Sequence, residues 1–131
     1  MGIEMKLKSI SLLLLLPVLV LMVACKPSAS TTYFEKGNDY LEQGDYQKAI
    51  EQYDEAIRLN PQGAEAYNNR GLSYVNLGQH ERAIIDYDEA IRLNPQDADA
   101  YNKKGYAYKA IGKLIEAERD FAKAKELGYT P

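Results

Sequence analysis

The 131-residue sequence contains one cysteine, one histidine and no tryptophan. A single thiol cannot close an internal disulfide. A single imidazole, His80, falls short of the several nitrogen or sulfur ligands that a zinc site needs. It also leaves no nucleophile–base–orienter set to assemble, so no enzyme activity, metal or cofactor is expected. Basic runs are missing too. Sixteen Lys/Arg face nineteen Asp/Glu, a net charge of −3. A mildly acidic surface without a basic patch repels phosphates, which argues against a nucleic-acid partner. A Gly-rich phosphate loop is absent because the glycines follow a different rule, set out below.

Long apolar runs are confined to one place. Lys6 and Lys8 precede Ile10–Ala24, ISLLLLLPVLVLMVA, interrupted only by Ser11 and Pro17. A membrane span needs about 20 apolar residues. This run is shorter and suits the apolar core of a signal peptide, here residues 1–24. It is apolar on every face, so it does not read as an amphipathic core helix. The run ends Leu21-Met22-Val23-Ala24-Cys25. That ending resembles the bacterial lipobox, with Met22 where Leu is usual and Ala24 at the small position. The resemblance implies lipid on the Cys25 sulfur, cleavage after Ala24, and acylation (palmitate-type) of the new N-terminus. Simple cleavage after Ala24 and an uncleaved anchor are the alternatives. A single acyl chain anchors marginally, whereas two or three hold a protein firmly. Residues 25–29 would be a short tether. Lys26 stands where Asp tends to retain enteric lipoproteins at the inner membrane. The expected location is therefore the cell envelope, at the outer membrane facing the periplasm where the cell is Gram-negative.

The remaining sequence repeats. Tyr53–Gln62, YDEAIRLNPQ, recurs unchanged as Tyr87–Gln96, an offset of 34 residues. Gly37/Gly71/Gly105, Gly44/Gly78/Gly112, Tyr33/Tyr67/Tyr101, Tyr40/Tyr74/Tyr108, Ala49/Ala83/Ala117 and Ala56/Ala90/Ala124 share that offset. Eight of the eleven tyrosines fall on this skeleton, so they read as packing residues rather than platforms for stacking bases. Each period holds two helical stretches, roughly 31–43 and 46–59 in the first, with apolar residues at helical spacing. The mid-repeat glycine can take a positive φ and end the first helix. Gly37, inside a helix, costs about 1 kcal/mol against Ala, which makes sense only where another helix leaves no room for a Cβ. Asn60-Pro61 and Asn94-Pro95 stop the second helix.

This skeleton resembles the tetratricopeptide repeat over residues 30–131. The resemblance implies an all-α solenoid of three helix-turn-helix repeats, 30–63, 64–97 and 98–131, six helices in all. Lys36, Arg70 and Lys104 replace the usual Leu, and their alkyl stems are expected to cover apolar neighbours while the charge reaches water. Ile57 and Ile91 become Lys125, and Asn-Pro becomes Gly128-Tyr129, which gives the last helix a polar outer face and reads as the end of the array. His80 reads as a partly exposed packing residue. Asp54/Arg58 and Asp88/Arg92, four apart, read as solvated pairs on one helix.

In such arrays the first helices line a concave groove. That implies Phe34, Glu35, Asn38, Leu41 and Glu42 from the first repeat, Glu65, Asn68, Asn69, Leu72 and Asn76 from the second, and Asp99, Asn102, Lys103, Tyr106 and Lys109 from the third. The candidate peptide-binding set is Phe34, Asn38, Asn68, Asn69, Leu72, Asn102, Lys103 and Tyr106. Asparagine amides donate and accept, as an extended peptide backbone requires. Some family members grip a C-terminal carboxylate with two Asn and three basic residues. Asn38, Asn69 and Lys103 match three of those positions, but Phe34 and Asp99 take the others, so a full clamp is not expected. The alternative is that the asparagines are solvated groove residues. The expected role is an adaptor or assembly factor for a protein or peptide partner in the envelope. A self-associating scaffold, through Tyr33 and Phe34, is the alternative.

Overall fold

The computed structural model describes residues 26–130. The expected signal peptide, residues 1–24, and the expected anchor at Cys25 lie outside them. The six helices are α1 Ala29–Glu42, α2 Tyr46–Leu59, α3 Ala64–Asn76, α4 His80–Leu93, α5 Ala98–Ala110 and α6 Leu114–Glu126. Among the described residues there is no strand, and no helix is long and apolar enough to cross a membrane. The first helix starts two residues earlier than its periodicity indicates, because Ser28 caps it by accepting from the Thr31 amide at 3.1 Å.

Each hairpin turns on a glycine that an L-residue would strain. Gly44, Gly78 and Gly112 sit at φ 76°, 73° and 78°. In the first turn the Asp45 amide donates to the Tyr40 carbonyl at 2.9 Å and the Gly44 amide to Leu41 at 3.1 Å. These bonds satisfy carbonyls that the end of α1 leaves open. Between repeats, Asn60 and Asn94 accept from the amides of Gln62 and Gln96 through their side chains. Asp97 caps α5, its Oδ1 accepting from Asp99 and Ala100 at 3.1 Å each.

Each helix packs on its neighbours in the chain. The first helices α1, α3 and α5 also touch in succession, whereas α2, α4 and α6 do not touch one another. The first-helix layer is therefore the inside of the curve. The layers close on small residues. Ala49, Ala83 and Ala117 are at most 2% exposed, and the rings of Tyr53, Tyr87 and Phe121 lie over Gly37, Gly71 and Gly105. Among the described residues consecutive helices pack in an unbroken series from α1 to α6, so residues 26–130 fold as one unit.

Two sequence expectations fail at the joints between repeats. The Arg70 and Lys104 charges are not left to water but are taken up by carboxylates, with side chains only 18% and 12% exposed. The Arg70 guanidinium is bidentate on Asp86, at 2.9 and 2.7 Å, and takes Asp54 of the preceding repeat at 2.6 Å. Lys104 lies 2.9 Å from Asp88 and 3.5 Å from Asp120. Asp54 and Asp88 are thus taken across the joint and are not available four residues along their own helix. Arg58 and Arg92 pair with Glu55 and Glu89 instead. Each joint is an acid–base–acid bridge at offsets of 16 residues. The equivalent positions around Lys36 break the rule: Gln52 stands in place of Asp86, and Lys36 is exposed beside the Tyr33 ring.

Candidate functional site

The inner layer presents three rows of side chains, one residue from each first helix per row: Phe34/Asn68/Asn102, Glu35/Asn69/Lys103 and Asn38/Leu72/Tyr106. The helical register that buries Gly37, Gly71 and Gly105 against the second helices turns these rows toward the groove.

The structure gathers the rows into two polar clusters. In the first, the Asn38 Oδ1 accepts from the Tyr53 hydroxyl at 2.8 Å and from the Asn69 Nδ2 at 2.9 Å. One amide oxygen thereby ties α1, α2 and α3 together. The Asn38 Nδ2 and the Asn69 side-chain Oδ1 have no hydrogen-bond partner among the described residues. In the second cluster, Asn68 donates to Asp97 at 3.3 Å and accepts from the Lys103 ammonium at 3.5 Å, while Lys103 pairs with Asp99 one turn back. Asn68 is only 9% exposed, so its amide joins α3 to the loop before α5. Asn69, its chain neighbour, keeps more of its surface open.

Apolar surface flanks these clusters at both ends. At one end a cleft of about 340 Å³ is lined by Phe34, Ala56, Ala66, Glu35 and Glu65. Phe34 rests on the Tyr53 ring, with centroids 6.0 Å apart. At the other end Tyr106, 60% exposed, stands edge-on to Phe121 at 5.0 Å and opens a cleft with Asn102, Lys125 and Tyr129. Leu72 is half-buried between them. His80 begins α4 with its Nδ1 buried and without a hydrogen-bond partner. Among the described residues no group of three His, Cys, Asp or Glu could hold a metal ion.

Sequence reasoning passed over Tyr53, which it read only as core. Its hydroxyl sits under the groove, and burial pushes its pKa up to about 12 from 10.0. The neutral phenol is favoured in the fold, so an unfolded chain ionises first as the pH rises. Tyr53 should therefore contribute full stability below pH 10 and lose it as the pH climbs toward about 12. The expected slope is about 1.4 kcal/mol per pH unit. Urea unfolding followed by helical circular dichroism at alkaline pH should show this loss, and Tyr53→Phe should lower its slope by about that amount while leaving the part contributed by the more deeply buried Tyr87.

The geometry has clear counterparts. Family profiles described as "Tetratricopeptide repeat" match residues 34–98 and 86–119. Among solved structures, the first TPR of Spaghetti (RPAP3) bound to the HSP90 peptide SRMEEVD is 33% identical, with a TM-score of 0.74, over 76% of this chain and 79% of that one. The Arabidopsis OM64 TPR domain is 32% identical, with a TM-score of 0.75, over 76% and 83%. MamA is 35% identical, with a TM-score of 0.73, over 75% of this chain and 57% of that chain. No curated protein matches the chain. With the repeat period, the glycine-on-ring hairpins, the inner layer of first helices and these likenesses all in agreement, the chain belongs to the tetratricopeptide-repeat family.

Proposed function

We propose that the protein is a non-catalytic adaptor that binds a protein or peptide partner in its inner groove and is held to a membrane of the bacterial cell envelope by lipid on Cys25. One observation carries the groove reading. The skeleton residues repeat from unit to unit, but the three rows on the inner layer change chemistry at every step except Asn68 to Asn102: Phe, Asn, Asn; Glu, Asn, Lys; Asn, Leu, Tyr. A need of the fold would recur with the fold. Side chains that differ at equivalent places answer to something that does not repeat, which is a ligand lying along the groove. The open amide groups of Asn38 and Asn69 suit an extended backbone, and Phe34, Leu72 and Tyr106 offer apolar anchors. The RPAP3 domain, bound to a peptide, supports peptide binding as a use of this fold.

The lipid anchor rests on the sequence around Cys25. It would place the groove close to the bilayer through a tether of a few residues, facing the periplasm in a cell with an outer membrane. End-to-end self-association is the weaker reading. Stacking α1 of one copy on α6 of another would set Lys36 against Ala122 and Gln52, where the internal joints supply aspartates to Arg70 and Lys104.

A photo-crosslinking residue at Phe34, Leu72 or Tyr106 in native envelopes should capture one partner, whereas one at Ile85, exposed on an outer helix, should not. Equal capture from both faces, or none from the groove, would remove the adaptor reading. Acyl labelling should mark wild type and spare Cys25→Ala.

A further inference from the structure

The cleft at Phe34 has a chemistry that the repeat alone does not dictate. Its floor is apolar, formed by Phe34, Ala56 and Ala66, and its rim carries two exposed carboxylates, Glu35 and Glu65. No basic side chain lines it. Further along the groove the Lys103 charge is already met by Asp99. Among the inner-layer positions of α1, α3 and α5 the acids Glu35, Glu42, Glu65 and Asp99 outnumber the bases Lys103 and Lys109, and Lys125 lines the cleft at the far end. The volume, about 340 Å³, leaves room for a long side chain.

Resting on the groove reading above, we infer that this cleft receives an Arg or Lys side chain of the partner, its stem against Phe34 and Ala66 and its charged head between Glu35 and Glu65. A long basic side chain is apolar along its stem and charged at its tip, which matches a floor and rim of this kind. The half-buried Phe34 ring adds attraction for the cation. An acidic segment such as the SRMEEVD peptide carried by the RPAP3 domain would set its carboxylates against Glu35 and Glu65. The partner is therefore a basic segment, and selection against acidic ones is built into the same site.

The test uses residues 26–130 and three pools of end-blocked nonapeptides with random flanks and a fixed central Arg, norleucine or Glu, with SRMEEVD as a fourth probe. The Arg pool should bind about tenfold more tightly than the Glu pool at about 50 mM salt, and the gap should shrink sharply at about 500 mM. Glu35→Lys with Glu65→Lys, both at exposed positions, should invert the order. Equal or tighter binding of the Glu pool or SRMEEVD overturns the inference, as does an Arg preference that survives the double variant. If no pool binds, the inference also falls, but groove crosslinks in native envelopes would still uphold the adaptor role. An Arg preference without any groove crosslink would sink the adaptor and leave the cleft chemistry standing.

Discussion

Arg70→Met should cost about 3 kcal/mol or more of unfolding free energy, although the methionine fills most of the space the arginine stem occupied. The reason lies in what is left behind. The Asp86 side chain is 4% exposed and has a bidentate guanidinium as its partner. Without that cation it is a buried charge with no compensation. Burial already pushes the Asp86 carboxyl above its ordinary pKa, against the downward pull of Arg70. Burial also opposes the Arg70 charge, but Asp86 and then Asp54 outweigh it and hold the guanidinium protonated. In the variant, the Asp86 pKa should rise further in the folded state than in the unfolded chain. The folded variant then binds the extra proton, so its stability should increase as the pH falls below neutrality, opposite to the usual acid loss. Arg70→Met with Asp86→Leu should regain all but about 1 kcal/mol, because replacing both members of a buried pair is often nearly neutral. Asp54→Asn should cost less than about 1 kcal/mol, since that carboxylate is half exposed and its pairing is screened by water. Urea unfolding of residues 26–130 at several pH values checks the series. If Arg70→Met alone were neutral, the joints would be solvated contacts and not structural bridges.

Six helices, three hairpin glycines and the glycine-on-ring contacts were legible because one residue type recurs at one geometric position every 34 residues. Gly71 can be assigned to a close approach from sequence because a helix tolerates glycine poorly unless something needs the space. The joint bridges were less legible. Asp54 and Arg58 look like a local pair because helix geometry brings residues four apart together. Nothing local reveals that Arg70, sixteen residues on, competes for the same carboxylate with a better-shielded geometry. The signal was present as a second period, Asp54-Arg70-Asp86 and Asp88-Lys104-Asp120, but it becomes meaningful only once the helices are stacked. The groove divides in the same way. The inner rows follow from the register, so their membership could be read. The split between Asn69, half-buried and bonded only to Asn38 through its side chain, and Asn68, buried and tied to Asp97, depends on a loop conformation that periodicity does not encode.

Tyr87→Ala should cost about 3–5 kcal/mol, the range for removing a fully buried ring. Tyr87 is 0% exposed and packs with Ala83, Ile84 and Ala107 at the centre of the array. Its partner across the hairpin is Gly71, where an added Cβ would lie 2.9 Å from the Tyr87 Cε1 and 3.2 Å from Cδ1 and Cζ. The ring has no free space to move into, so the contact cannot be relieved cheaply. Gly71→Ala gains about 1 kcal/mol in helix propensity, but forcing a carbon into a filled core costs about 1–3 kcal/mol. The substitution alone should therefore destabilise. In the Tyr87→Ala background the obstacle is gone and only the propensity gain remains, so Gly71→Ala should then stabilise by up to about 1 kcal/mol. The change of sign is the diagnostic outcome, because two independent sites would add. Thermal and urea unfolding of the four proteins in the cycle would reveal it. If Gly71→Ala had the same effect in both backgrounds, the glycine would be present for some reason other than the ring. The account of why the two helices of a hairpin can approach this closely would then lose its basis.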